Sequence, residues 1–84
     1  MKPVALVIDD EVQIRRLLRV VLESADYQVH EAETAAQGLT DAATRRPDVI
    51  LLDLGLPDSD GVNVLRRLRE WSSGAGHRSF GARR

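Results

Sequence analysis

Apolar positions in this chain come in two alternating kinds of pattern. Val4 to Ile8 and Val49 to Leu52 are unbroken aliphatic runs, the mark of short strands buried on both faces. After the first run, Ile14, Leu17, Leu18, Val21 and Leu22 recur at helical spacing. They predict an amphipathic helix with Arg15, Arg16, Arg19 and Glu23 on its wet side. Tyr27-Gln28-Val29-His30-Glu31-Ala32 then alternates, as a strand at the edge of a sheet would. Thr34 followed by Gln37 is a capping-box start for a second helix. Ala35, Leu39, Ala42 and Ala43 give that helix a face small enough to approach a sheet closely. Arg45 and Arg46 suit its last turn, and Pro47 marks its stop. Beyond the second aliphatic run, Leu54 to Asp60 is a loop holding Pro57 and several acids, and Gly61 leads into a third helix. Val64, Leu65, Leu68 and Trp71 share one face of that helix.

The order is strand, helix, strand, helix, strand, helix, which predicts an α/β domain with an open parallel sheet and right-handed crossovers. Strand order 2-1-3 would make the two aliphatic strands neighbours. It would also put the first helix alone on one sheet face and the other two helices on the opposite face. The face near Val49–Leu52 is then under-covered and should expose an apolar patch. With nothing recognisable beyond it, strand 49–53 is an unpaired edge, which invites pairing with another chain. Both features predict a homodimer, through strand 49–53 or through the uncovered sheet face.

At 84 residues the chain suits one small domain that buries only roughly 60–65% of its unfolded surface. It has no cysteine, which excludes disulfides and thiolate metal sites and fits a reducing cytoplasm. Its apolar runs are far shorter than the ~20 residues that span a bilayer, and Asp9 and Asp10 interrupt any signal-peptide pattern. Charge is uneven: all 13 acids precede residue 72, whereas residues 72–84 carry Arg78, Arg83 and Arg84. That segment, SSGAGHRSFGARR, shows neither helical nor strand period and reads as a loosely ordered, solvated tail. Residues 1–72 therefore form the structured unit and 73–84 the tail.

Each of the two aliphatic strands ends in acid: Asp9 and Asp10 follow the first, and Asp53 closes the second. In an open parallel sheet the C-terminal strand ends share one edge, where ligands bind. With those strands adjacent, carboxylates 43 residues apart in sequence (Asp10 and Asp53) converge within a few ångströms. Three close carboxylates repel and need a cation to remain ionised together. Hard oxygen ligands with room for water suit magnesium. Taken singly, each acid is equally a turn or helix-cap residue; the convergence of two strands on one edge favours the pocket.

These residues resemble the receiver domains of bacterial two-component response regulators. VIDDE after the first strand, LLDLGLPDSDG at the third, Pro57 and Gly61 carry the resemblance, which runs from residue 3 to about 72. Within the family, EAETAAQGL, ATRRPDVILLDLGLPD and VLRRLREWS look most like the KdpE-type regulators of potassium-transport operons. The resemblance implies a flavodoxin-like fold truncated to three βα units, lacking the last two. It implies that Asp53 accepts a phosphoryl group from a sensor histidine kinase. It also implies that Asp10, Asp53 and the Gly55 carbonyl hold Mg²⁺, with Asp9 assisting through water. Such a domain is a cytoplasmic signalling module rather than an enzyme, and no DNA-binding domain is expected in these residues.

Two departures matter. The family's fourth strand ends in Ser or Thr and its fifth in Lys, and nothing in 73–84 matches either. Lys2 is the sole lysine, and a strand of seven or eight residues sets it about 25 Å from the carboxylates. Ser59 is in the right loop but suits turn chemistry. Switching is therefore expected to be impaired. A small Mg²⁺-dependent phosphatase with an aspartyl nucleophile is an alternative, but Gly55 stands where such enzymes carry a second acid. A self-associating fragment without phosphotransfer is another.

Overall fold

The computed structural model describes residues 2–58, 61–72 and 79–83, with side chains up to Glu70. Strands β1 (Val4–Ile8), β2 (Gln28–Ala32) and β3 (Val49–Asp53) alternate with helices α1 (Val12–Ser24), α2 (Ala35–Arg45) and α3 (Gly61–Ser72). A further strand, β4, spans Ser79–Arg83. The sheet is wholly parallel in the order β2-β1-β3-β4. The expected 2-1-3 arrangement is present, and β2 is an edge as its alternation implied.

The fourth strand corrects two expectations. Part of the tail is ordered, since Val49 to Asp53 pair in register with Ser79 to Arg83. β3 is accordingly not an edge but lies between β1 and β4, so its backbone is closed to a second copy. The cause is the property that made β3 look exposed: an aliphatic strand with free N–H and C=O groups recruits any extended segment within reach. Pairing of this kind is a backbone matter, and Ser-Phe-Gly-Ala-Arg is too short and too glycine-weakened to announce it by side-chain pattern.

One face of the sheet carries the core. Leu6, Ile8, Ile50 and Leu52 pack against Ala35 and Ala42 of α2 and Val64 and Leu68 of α3. Close approach of α2 depends on Gly38, where an added Cβ would fall 2.6 Å from Ile8 Cδ1. Gly38 and not Ala43 completes the small-residue face, because Ala43 is exposed. Trp71, expected on the buried face of α3, has a side chain outside the described residues.

On the other face α1 is rotated from its expected setting. Ile14, Leu18 and Leu22 are half-buried, whereas Leu17, Val20 and Val21 stand 59%, 65% and 53% exposed. Arg15 turns inward, its Nε donating to Glu31 Oε1 at 3.1 Å and a terminal N–H to the Asp9 carbonyl at 2.8 Å. Arg19 also donates to Glu31. A guanidinium stem can cover apolar surface as well as carry charge, so the two arginines act as packing residues here. Val49 and Leu51 of β3 remain half-buried. No large aliphatic of β3 is among the exposed ones; among the described residues the most exposed are on α1.

Candidate functional site

The site grows from the ends of β1 and β3. Ile8 pairs with Leu52, so the residues that follow leave the sheet side by side. Asp9 is 1% exposed and tightly held. Its N–H donates to the Ala32 carbonyl at 2.9 Å, and its Oδ1 accepts from the Glu11 N–H at 2.9 Å. Asp10 is exposed. Asp53, the last residue of β3, is 6% exposed, and its Oδ1 accepts from the Gly55 N–H at 2.8 Å.

Asp9, Asp10 and Asp53 each place a carboxylate oxygen within 4.8 Å of the others. The convergence expected from strand order is therefore real. A donor set of three carboxylates, two of them buried, fits a hard divalent cation that retains water, as Mg²⁺ does. Gly55 is exposed and donates its amide to Asp53, while its carbonyl is the oxygen that the resemblance assigns to the cation. Lys2 lines a hollow with Tyr27 and Gln28 at the opposite end of the strands, as its position before β1 required. Ser59 lies outside the described residues.

Asp58 is the residue that pattern reading missed. Its Oδ1 and Oδ2 accept from the Ala35 and Ala36 N–H groups at 2.8 and 3.1 Å, so a loop residue caps the start of α2. Those two backbone bonds hold its carboxyl below the ordinary range, since they favour the charged form. The expected capping box is half made: Thr34 Oγ1 accepts from the Gln37 N–H at 3.1 Å, but Gln37 turns its amide to Asp41. Thr34 and Asp58 share the helix start that Thr34 and Gln37 were expected to share. A cap supplied from 23 residues away leaves no local signal.

Residues 5–76 match the model described as the response regulator receiver domain. The KDP operon transcriptional regulatory protein KdpE of Escherichia coli K12 is 56% identical over 68 residues, covering 81% of this chain and 30% of that protein. The transcriptional regulatory protein ResD of Bacillus subtilis is 46% identical over 65 residues, covering 77% of the chain and 27% of ResD. The chain thus spans less than a third of these relatives. Among solved structures, a CheY-like receiver domain from Methylobacillus flagellatus superposes with a TM-score of 0.87 at 24% identity, covering 98% of this chain and 69% of that one. That likeness bears on fold alone. A sensor protein from Polaromonas sp. JS666 superposes at 0.85 with 33% identity, covering 98% and 65%.

Proposed function

Since the chain belongs to the response regulator receiver family, we propose that it is a phosphoacceptor module in which Asp53 takes a phosphoryl group from a sensor histidine kinase. The observation that carries this reading is the meeting of Asp53 with Asp9 and Asp10 at one sheet edge. The Gly55 N–H occupies Oδ1 of Asp53, which leaves Oδ2 as the attacking atom. An O–P bond forms to Oδ2 as the donor's P–N bond breaks, and the imidazole departs with that electron pair. Burial keeps bulk water from competing for the acyl phosphate. Asp10, Asp53 and the Gly55 carbonyl would hold Mg²⁺, with Asp9 assisting through water. Bound there, the ion offsets repulsion between the acids and the incoming phosphoryl oxygens.

No lysine other than Lys2 is present, and it lies at the far end of the strands. A second copy of the chain is the partner we assign to the stripe Leu17, Val20 and Val21. Arg16 and Glu23 flank that stripe seven residues apart, on one side of the helix. An antiparallel two-fold pairing of α1 with α1 would set Arg16 against the partner's Glu23. Sedimentation at high concentration tests it: Val20→Lys should shift a dimeric species to monomer, and a wild-type monomer throughout sinks the pairing.

For the site itself, the chain and Asp53→Ala are incubated with acetyl phosphate and Mg²⁺, and phosphoryl uptake is followed by intact mass. Labelling of the wild type alone is expected. Equal labelling of both proteins would overturn the assignment of Asp53.

A further inference from the structure

Asp10 leaves β1 through a peptide that the rest of the protein holds in place. The N–H of Asp9 donates to the Ala32 carbonyl at 2.9 Å, and its Oδ1 accepts from the Glu11 N–H at 2.9 Å. Its carbonyl, half of the peptide that joins it to Asp10, accepts from a terminal N–H of Arg15 at 2.8 Å. Arg15 is itself anchored, because its Nε donates to Glu31 Oε1 at 3.1 Å, and its side chain is only 13% exposed. Glu31 precedes Ala32 on β2, so the holds on the Asp9 N–H and on its carbonyl both run back to one strand.

The three acids are not equally secured. Asp9 and Asp53 are buried, whereas Asp10 is exposed and is aimed chiefly by the backbone that carries it. Rotation of the Asp9–Asp10 peptide would take the Asp10 carboxylate out of the 4.8 Å cluster it makes with the other two. We propose that Arg15 is a positioning residue for the acidic pocket: by fixing the Asp9 carbonyl, it holds Asp10 where it can share a divalent cation with Asp53. In this role Arg15 touches neither the ion nor a phosphoryl group. A rigid planar fork suits the task, since two of its nitrogens engage two acceptors at once. Glu31 also offsets the arginine's charge, which unbalanced would repel a cation at the pocket. Groups that orient a metal's ligands govern affinity nearly as strongly as the ligands themselves. The inference rests on the reading of Asp10 and Asp53 as Mg²⁺ ligands.

Placement and charge carry opposite signs. Removing a cation that acts by charge alone would strengthen Mg²⁺ binding, whereas removing a residue that holds Asp10 should weaken it. The full chain, Arg15→Ala, Arg15→Lys and Arg19→Ala are titrated with Mg²⁺ alone, following the Asp10 and Asp53 amides by NMR. Urea midpoints are measured in parallel. Arg15→Ala should lose roughly tenfold in Mg²⁺ affinity. Arg15→Lys keeps the charge but not the fork, and should lose severalfold. Arg19→Ala also takes a donor from Glu31 but leaves the Asp9 carbonyl bonded. Its urea midpoint should fall while its Mg²⁺ affinity stays within twofold of wild type. Equal losses of affinity in Arg15→Ala and Arg19→Ala would overturn the positioning role, by showing a general loss of structure. Unchanged or tighter binding by Arg15→Ala also overturns it and leaves the pocket standing. Where alanine unfolds the domain, the lysine variant decides, and affinity within twofold of wild type overturns the proposal. A wild type that takes no Mg²⁺ overturns the pocket reading and this inference with it.

Discussion

The two faces of the sheet are built by different means. Under α2 and α3, small residues let helix and strand backbones approach until side chains interlock: Gly38 sits on Ile8, and Leu68 is fully buried. Under α1, half-buried Ile14, Leu18 and Leu22 are joined by two arginines converging on Glu31, while four aliphatic residues of the helix, Val12, Leu17, Val20 and Val21, remain largely in water. The first face is held mainly by packing. The second adds charge-assisted hydrogen bonds to a thinner apolar contact and inherits the titration of their acceptor. Deep burial on one face secures Asp53 and Asp9 from beneath, and the other face can stay loosely covered.

Disturbing the packed face should have the largest effect. Leu68→Ala removes a fully buried side chain and should cost about 3 kcal/mol, much of the stability of so small a domain. A urea midpoint close to that of the native chain would show that α3 adds little to the core. Gly38→Ala should come next, at about 1–2 kcal/mol, since Ile8 must move although alanine favours a helix. Ile8→Val, which removes the nearest atom, should lessen the penalty when the two are combined.

The charged face should respond less, and to acid. Glu31 is pushed upward by desolvation, but the hydrogen bonds and charges of Arg19 and Arg15 outweigh this and hold its carboxyl below the ordinary 4.5. Its stabilisation is present above 4.5 and is lost as pH falls through the lower folded value. His30, next to Glu31 in sequence but turned to the α2 face with Leu6, is depressed below 6.5 by desolvation and then by Arg45 of α2. The unfolded chain therefore takes up that proton first, and stability starts to decline as pH drops below 6.5. Denaturation followed from pH 7.5 to 4 should show both declines. Glu31→Gln, costing about 1 kcal/mol at neutral pH, should abolish the lower one and leave the upper. The smallest effect belongs to Leu17→Ala, within about 0.5 kcal/mol for the monomer, because the side chain is already largely in water.

Element order, the 2-1-3 pairing and the meeting of Asp9, Asp10 and Asp53 were legible from residue pattern, because apolar periodicity and strand-end acids are local signals that topology then brings together. The rotation of α1 was not. Periodicity weighs Leu17 and Val21 as core and Arg15 as surface, without knowing that Glu31 waits on β2 to receive the arginine. Nor was β4, whose partner supplies the reason for it to be a strand. Asp58 was read as one acid in a loop, and its role depends wholly on where Ala35 and Ala36 lie.

That last contact has a dynamic consequence. Asp58 fastens the segment following Asp53 to the first turn of α2, so the loop cannot lift without releasing two backbone amides. Hydrogen exchange at Ala35 and Ala36 should therefore clock the opening of the acidic pocket, even though neither residue touches it.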